Sequence, residues 1–114
     1  MEKPVFVCDL LAISTAARSR YKELVQRVRE AMHQREEISS GYTLHLDSVE
    51  VTLTETAERM NTERLCCPSL TLQLSVSGND ADWNLTPTGP DGIKPLLDAE
   101  FPNRGLRRDA VTPI

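Results

Sequence analysis

At Pro68 the spacing of apolar residues changes from one period to another, and this constrains the fold more than any other feature of the chain. Upstream, Val49, Leu53, Ala57 and Met60 fall three to four apart in a stretch of helical length that closes on "LCC", Leu65 to Cys67. Downstream, in "SLTLQLSVS", Leu70, Leu72, Leu74 and Val76 alternate with polar residues, the period of a strand with one buried face. Proline disfavours the helical conformation in the residue before it, so the helix has to stop there. The upstream stretch also admits an alternating reading through Val49, Val51 and Leu53. Its length favours a helix from about Val49 or Thr52, with Ser48 as a candidate cap, to about Cys66.

The other elements are read the same way. "VFVCDLLAI" is a short apolar run that places a first strand near Pro4 to Cys8. After Ser14 and Thr15, both competent helix caps, Tyr21, Leu24, Val25, Val28 and Met32 repeat at the spacing of an amphipathic helix. Ser39, Ser40 and Gly41 signal a turn, and Tyr42, Leu44 and Leu46 then alternate as a half-buried strand. "ADWNLTPT" pairs with the strand after Pro68 as a hairpin, and "GPDGIKPLLDAEF" predicts a short helix with Ile93, Leu97 and Phe101 inward and Pro95 in its first turn. The order β-α-β-α-β-β-α implies an α+β fold. It is a two-layer domain over residues 1–101, with helices packed on a largely antiparallel sheet and a loose tail over 102–114.

At 114 residues there is room for one domain and one core. The formal charge of −4 speaks against nucleic acid as a partner, because phosphate binding needs clustered Lys and Arg. The amino-terminal apolar run is interrupted by Asp9 and is too brief for a signal peptide or a membrane span, so the expected location is the cytoplasm, with no membrane partner. Three cysteines, an odd number without a secretory signal, argue against a disulfide framework and for reduced thiols.

If the stretch before Pro68 is helical, Glu63 shares a face with Cys66 and Cys67, three and four residues on, and Arg59 lies one turn below Glu63. A carboxylate and two thiols then cluster. With Cys8 as a third sulfur from a neighbouring first strand, the set Cys8, Cys66, Cys67 and Glu63 suits a soft ion such as zinc, copper(I), mercury(II) or arsenic(III). Against it stands the absence of the usual paired zinc spacings. The negative end of the helix dipole also opposes a reactive thiolate at this position, and a disulfide between adjacent cysteines is strained. The plain alternative is a packed, inert pair. His33 and His45 read as solvent-facing, Trp83 as core or sheet rim, and "TGPDG" as a chain reversal.

From "ERLCCPSLTLQLSV" through "WNLTPTGPDGIKPLL" the sequence resembles a family of small uncharacterised bacterial proteins with a Glu-Arg-x-Cys-Cys-Pro-Phe-like segment, similar segments also being appended to MerR-like regulators. Glu63, Arg64, Cys66, Cys67, Pro68, Trp83, Leu85, Gly89, Pro90, Gly92 and Lys94 carry the likeness, and Ser69 stands where the family tends to have Phe. The resemblance implies a cluster of Cys8, Cys66 and Cys67 with Glu63 beside it. It also implies a helix over Val49 to Cys66. It carries no established reaction, so whether the chain is an enzyme stays open. Three readings follow: a domain that binds or senses a soft metal or metalloid ion, zinc or another thiophilic metal; a thiol redox protein; and an interaction module with inert cysteines, a homodimer through an uncovered sheet face.

Overall fold

A computed structural model of the chain describes residues 9–78 and 81–102. The strand expected at Pro4 to Cys8 and residues 103–114 of the expected tail lie outside them. After a 3-10 turn at Leu10–Ala12, helix α1 spans Thr15–Ala31 and strand β1 Met32–Ile38, followed by β2 at Gly41–Leu46. Helix α2 is Leu53–Cys66, strands β3 and β4 are Thr71–Val76 and Trp83–Thr88, and α3 is Lys94–Glu100. The four strands form one antiparallel sheet in the order β1-β2-β4-β3. Helices pack on it, the two-layer α+β arrangement expected from the sequence.

Ser14 caps α1, its hydroxyl accepting from the Ala17 N–H at 3.1 Å, and the helix buries Tyr21, Leu24, Val28 and Ala31 at three-four spacing. The core joins these to Tyr42, Leu44 and Leu46 of β2, Leu85 of β4, and Ile93, Leu97 and Phe101 around α3. Full burial of one such Leu stabilises by about 1.5–3 kcal/mol. Pro95 lies in the first turn of α3, where its missing N–H costs no intrahelical bond.

Two local features depart from the periodicity. The segment "MHQREEI" has no alternation and forms β1 through backbone pairing alone, with Ile38 opposite Gly41 across Ser39 and Ser40 and the ladder running back to Met32 opposite Leu46. Its one side faces solvent at the sheet edge, so charged residues are tolerated along it. Helix α2 starts later than Ser48. Thr52 is its cap, in a capping box where Thr52 accepts from the Glu55 N–H and Glu55 from the Thr52 N–H, both at 3.0 Å.

Gly41 is fixed by contact. A Cβ on it would stand 2.0 Å from the carbonyl oxygen of Pro87 on β4, so only hydrogen fits between the strands there. Residues on the sheet face away from Leu44 and Leu85, among them Thr43, His45, Asn84 and Thr86, are polar and partly exposed. Trp83 is half-buried and donates its indole N–H to Thr56 Oγ1 at 3.0 Å. Among the described residues no helix is long and apolar enough to cross a membrane.

Candidate functional site

Helix α2 turns an unusual face to the core. Its buried residues are Thr56, Arg59, Glu63 and Cys66, again three to four apart, while Ala57 and Leu65 are exposed and Leu53 is 38% exposed. The apolar spacing Val49, Leu53, Ala57, Met60 is therefore not the buried stripe, and Val49 precedes the helix altogether at 83% exposure. Polar groups can line a core face only when they satisfy one another.

They do so as a chain of contacts. Arg59 Nη1 pairs with Glu63 Oε1, one turn on, and both side chains are 1% exposed. The Tyr21 hydroxyl, reaching from α1, donates to the same Glu63 oxygen at 2.9 Å and lies 3.3 Å from Glu100 Oε1 on α3. The guanidinium of Arg59 also reaches the Glu100 carbonyl at 3.4 Å and stacks over the Phe101 ring at 4.7 Å, leaving its Nε buried without a hydrogen-bond acceptor. Three helices meet at this network.

Cys66 extends it. Its thiol lies 3.9 Å from the Tyr21 hydroxyl, 3.8 Å from the Glu63 carbonyl and 3.9 Å from the Cys67 sulfur, and the residue has no exposed surface. The ligand atoms of Glu63, Cys66 and Cys67 all lie within 4.8 Å of one another. The structure thus brings together three of the four residues that the sequence nominates; Cys8 lies outside the described residues. Its neighbour Asp9 is described, and donates its backbone N–H to the Cys66 carbonyl at 2.8 Å, which places Asp9 at the end of α2.

Cys67 caps that helix end, its N–H donating to the Glu63 carbonyl at 2.7 Å and its carbonyl accepting from Leu70 at 3.1 Å. Its sulfur is disulfide-bonded, to a partner outside the described residues, and Cys66 is the free cysteine. This corrects the expectation of reduced thiols throughout. Parity and compartment decide how many disulfides are favoured, whereas proximity decides whether one particular sulfur finds a partner.

Charge states follow from burial. The Cys66 thiol is pushed above its ordinary range, first by burial and then by the negative charge of Glu63, so the neutral form is favoured where the helix dipole also disfavours thiolate. Burial is again the first cause, and Glu63 the second, that raises the Glu100 carboxyl. Tyr21 lies above the usual phenol range, mainly through burial. In each of Tyr21, Glu100 and Cys66, burial therefore favours the protonated form.

Sequence reasoning placed Arg59 beside Glu63 but missed Tyr21 and Glu100. Tyr21 reads as one more apolar residue of an amphipathic stripe and Glu100 as the polar end of a short helix. The signal that could have found the network is the wrong-sided stripe of α2, in which the three-four spacing through Thr56, Arg59, Glu63 and Cys66 competes with the apolar one. The histidines are on the surface as expected, His45 Nε2 3.2 Å from Glu36 and His33, in β1, 3.4 Å from Asp82. Comparison of the chain with protein-family models, curated proteins and solved structures finds no match.

Proposed function

We propose that this domain binds a soft metal or metalloid ion through Cys66 and Cys67 in their reduced form, with the Glu63 carboxylate as a third donor. The observation that carries the reading is the separation of the two sulfurs, 3.9 Å. Two thiolates on one tetrahedral zinc, with bonds of about 2.3 Å, stand about 3.8 Å apart. The pair needs little rearrangement to close on such an ion. Charge supports it too: two thiolates and Glu63 supply three negative charges, while Arg59 and a divalent ion supply three positive ones. A buried site is favoured when its charges sum to zero.

Thiols of this kind persist in a reducing compartment, in keeping with a cytoplasmic protein. Titrating the fully reduced chain with zinc, under anaerobic conditions and with a competing chelator, should give saturable binding of one ion. A Cys66→Ser, Cys67→Ser double variant of unchanged secondary structure should bind none. Equal binding by that variant would remove the reading. A second reading, a thiol redox protein, is favoured by one specific observation, the disulfide at Cys67 beside the free thiol of Cys66.

A further inference from the structure

The two outer strands of the sheet are protected to different degrees. β1 carries Arg35, Glu36 and Glu37, and its pairing with β2 is broken by a register shift between Met32 and Gln34. Charges and irregularities of this kind keep an edge from pairing with another chain. β3, at the opposite edge, reads TLQLSV, with neither charge nor proline, and pairs with β4 in unbroken register from Thr71 to Val76. Alternate residues of an edge strand turn their N–H and C=O groups away from the ladder. Among the described residues no strand lies against that side of β3.

The helix above this edge is apolar on the same side. Ala57 and Met60 of α2, with the half-buried Leu72 and Leu74 of β3, line a groove of about 480 Å3. Leu53, 38% exposed, belongs to the helix side, and Val76, 53% exposed, to the strand side. These include the stripe of Leu53, Ala57 and Met60 that the core leaves unused. Apolar side chains grouped beside an unprotected edge mark a contact surface. We propose that β3 is a dimer interface, pairing antiparallel with β3 of a second copy so that two four-stranded sheets become one and the two α2 helices meet above it. This is independent of the ion-binding reading.

Three features select a second copy as the occupant. A neutral strand sets no like charges against its own copy. The two ends of the edge are also oppositely charged: Arg64 lines the groove with Thr71, whereas Asp82 and the exposed Glu50 stand at the end where Val76 pairs with Trp83. An antiparallel copy brings the basic end of each chain to the acidic end of the other. Finally, a two-fold at β3 leaves only the protected β1 edges at the ends of the joined sheet, so assembly stops at two. The open sheet face, with Thr43, His45, Asn84 and Thr86, is polar and takes no part. A line of six residues is ~20 Å long. With the shoulder of α2 it makes a small interface, below about 1,200 Å2 in total, and a reversible dimer.

Sedimentation velocity of the full-length protein tests this, with dithiothreitol present so that no dimer is held by a disulfide. The wild type should be monomeric near 1 µM, roughly, and increasingly dimeric towards about 500 µM, the range of a weak interface. Directly opposed side chains of an antiparallel pair share a face, so a two-fold at the middle of β3 sets Gln73 against its own copy or against Ser75. Both are exposed, and Gln73→Lys and Ser75→Lys should each keep the wild-type far-UV circular dichroism and weaken dimerisation by about 10-fold or more. Gln34→Lys, on the β1 edge, should dimerise like the wild type. A wild type that stays monomeric throughout overturns the dimer and leaves the β3 edge to a different chain. Dimerisation that survives both β3 variants, or that falls equally in Gln34→Lys, overturns the assignment to β3.

Discussion

Two ion clusters in this molecule are built from the same side chains and differ in their solvent. On the outer flank of α1 and α2, Arg20 holds Glu58 through two contacts of 2.9 Å and Glu23 through another, and Arg27 joins Glu23 at 3.3 Å and Glu55 at 3.5 Å. Arg20, Arg27, Glu23 and Glu58 are each roughly 40–50% exposed. Beneath the helices, Arg59 shares Glu63 with Tyr21 and is 1% exposed. The outer cluster has more ion pairs and less at stake, because bulk water replaces any partner it loses. In the inner one, removing a partner strands a buried charge.

Breaking the inner pair from one side should give the largest effect. Arg59→Met removes the buried cation paired with Glu63, and should lower the unfolding free energy in urea by about 3–5 kcal/mol. A loss below about 1 kcal/mol would mean that water reaches Glu63 in the variant and that the two clusters are alike. The second test removes both charges. Arg59→Met combined with Glu63→Leu should recover most of the loss, because neither charge of the pair is left buried alone, and a double-mutant cycle measures the coupling.

Glu100 offers a smaller effect with a definite sign. Its carboxyl is raised above 4.5 in the folded protein, by burial and then by Glu63, so the folded state keeps a proton that the unfolded chain releases. The stabilisation from that proton is complete below the unfolded value of 4.5 and is lost as pH rises through the higher folded value. Glu100→Gln cannot ionise, and its stability relative to the wild type should therefore rise from pH 4.5 towards neutrality. Parallel stability curves would sever Glu100 from the network. The smallest effect belongs to the outer cluster. Arg20→Ala should lower the melting temperature slightly at low ionic strength, and the difference should vanish in about 1 M salt, where screening acts over ~3 Å.

The same contrast explains what the sequence could reveal. Alternation located β2, β3 and β4, and the stripe of Tyr21, Leu24 and Val28 located α1, because each pattern is a record of burial against water. Pro68 gave the end of α2 through a local steric rule. β1 escaped because backbone pairing at a sheet edge leaves little pattern in the side chains. Arg59 and Glu63 are also four residues apart, the spacing of an ordinary surface pair, and nothing in the letters separates an exposed pair from one closed over by Tyr21 and Phe101. The clustering of Glu63 with Cys66 and Cys67 was legible from helical spacing alone. The oxidation of Cys67 was not, because a disulfide depends on proximity in the folded chain, which spacing along the sequence does not give.

Gly41 has a consequence for how the sheet is assembled. A strand that slides by one residue turns all its side chains over, and hairpins resist this only as well as their turns and packing allow. In β2 the position facing the Pro87 carbonyl has space for a hydrogen atom alone. Sliding β2 forward or back would bring Ser40 or Tyr42 to that point, and either side chain would collide with β4. Gly41 is thus a key cut for one alignment of the central strands, rejecting misaligned sheets by collision while they form and leaving Leu44 opposite Leu85.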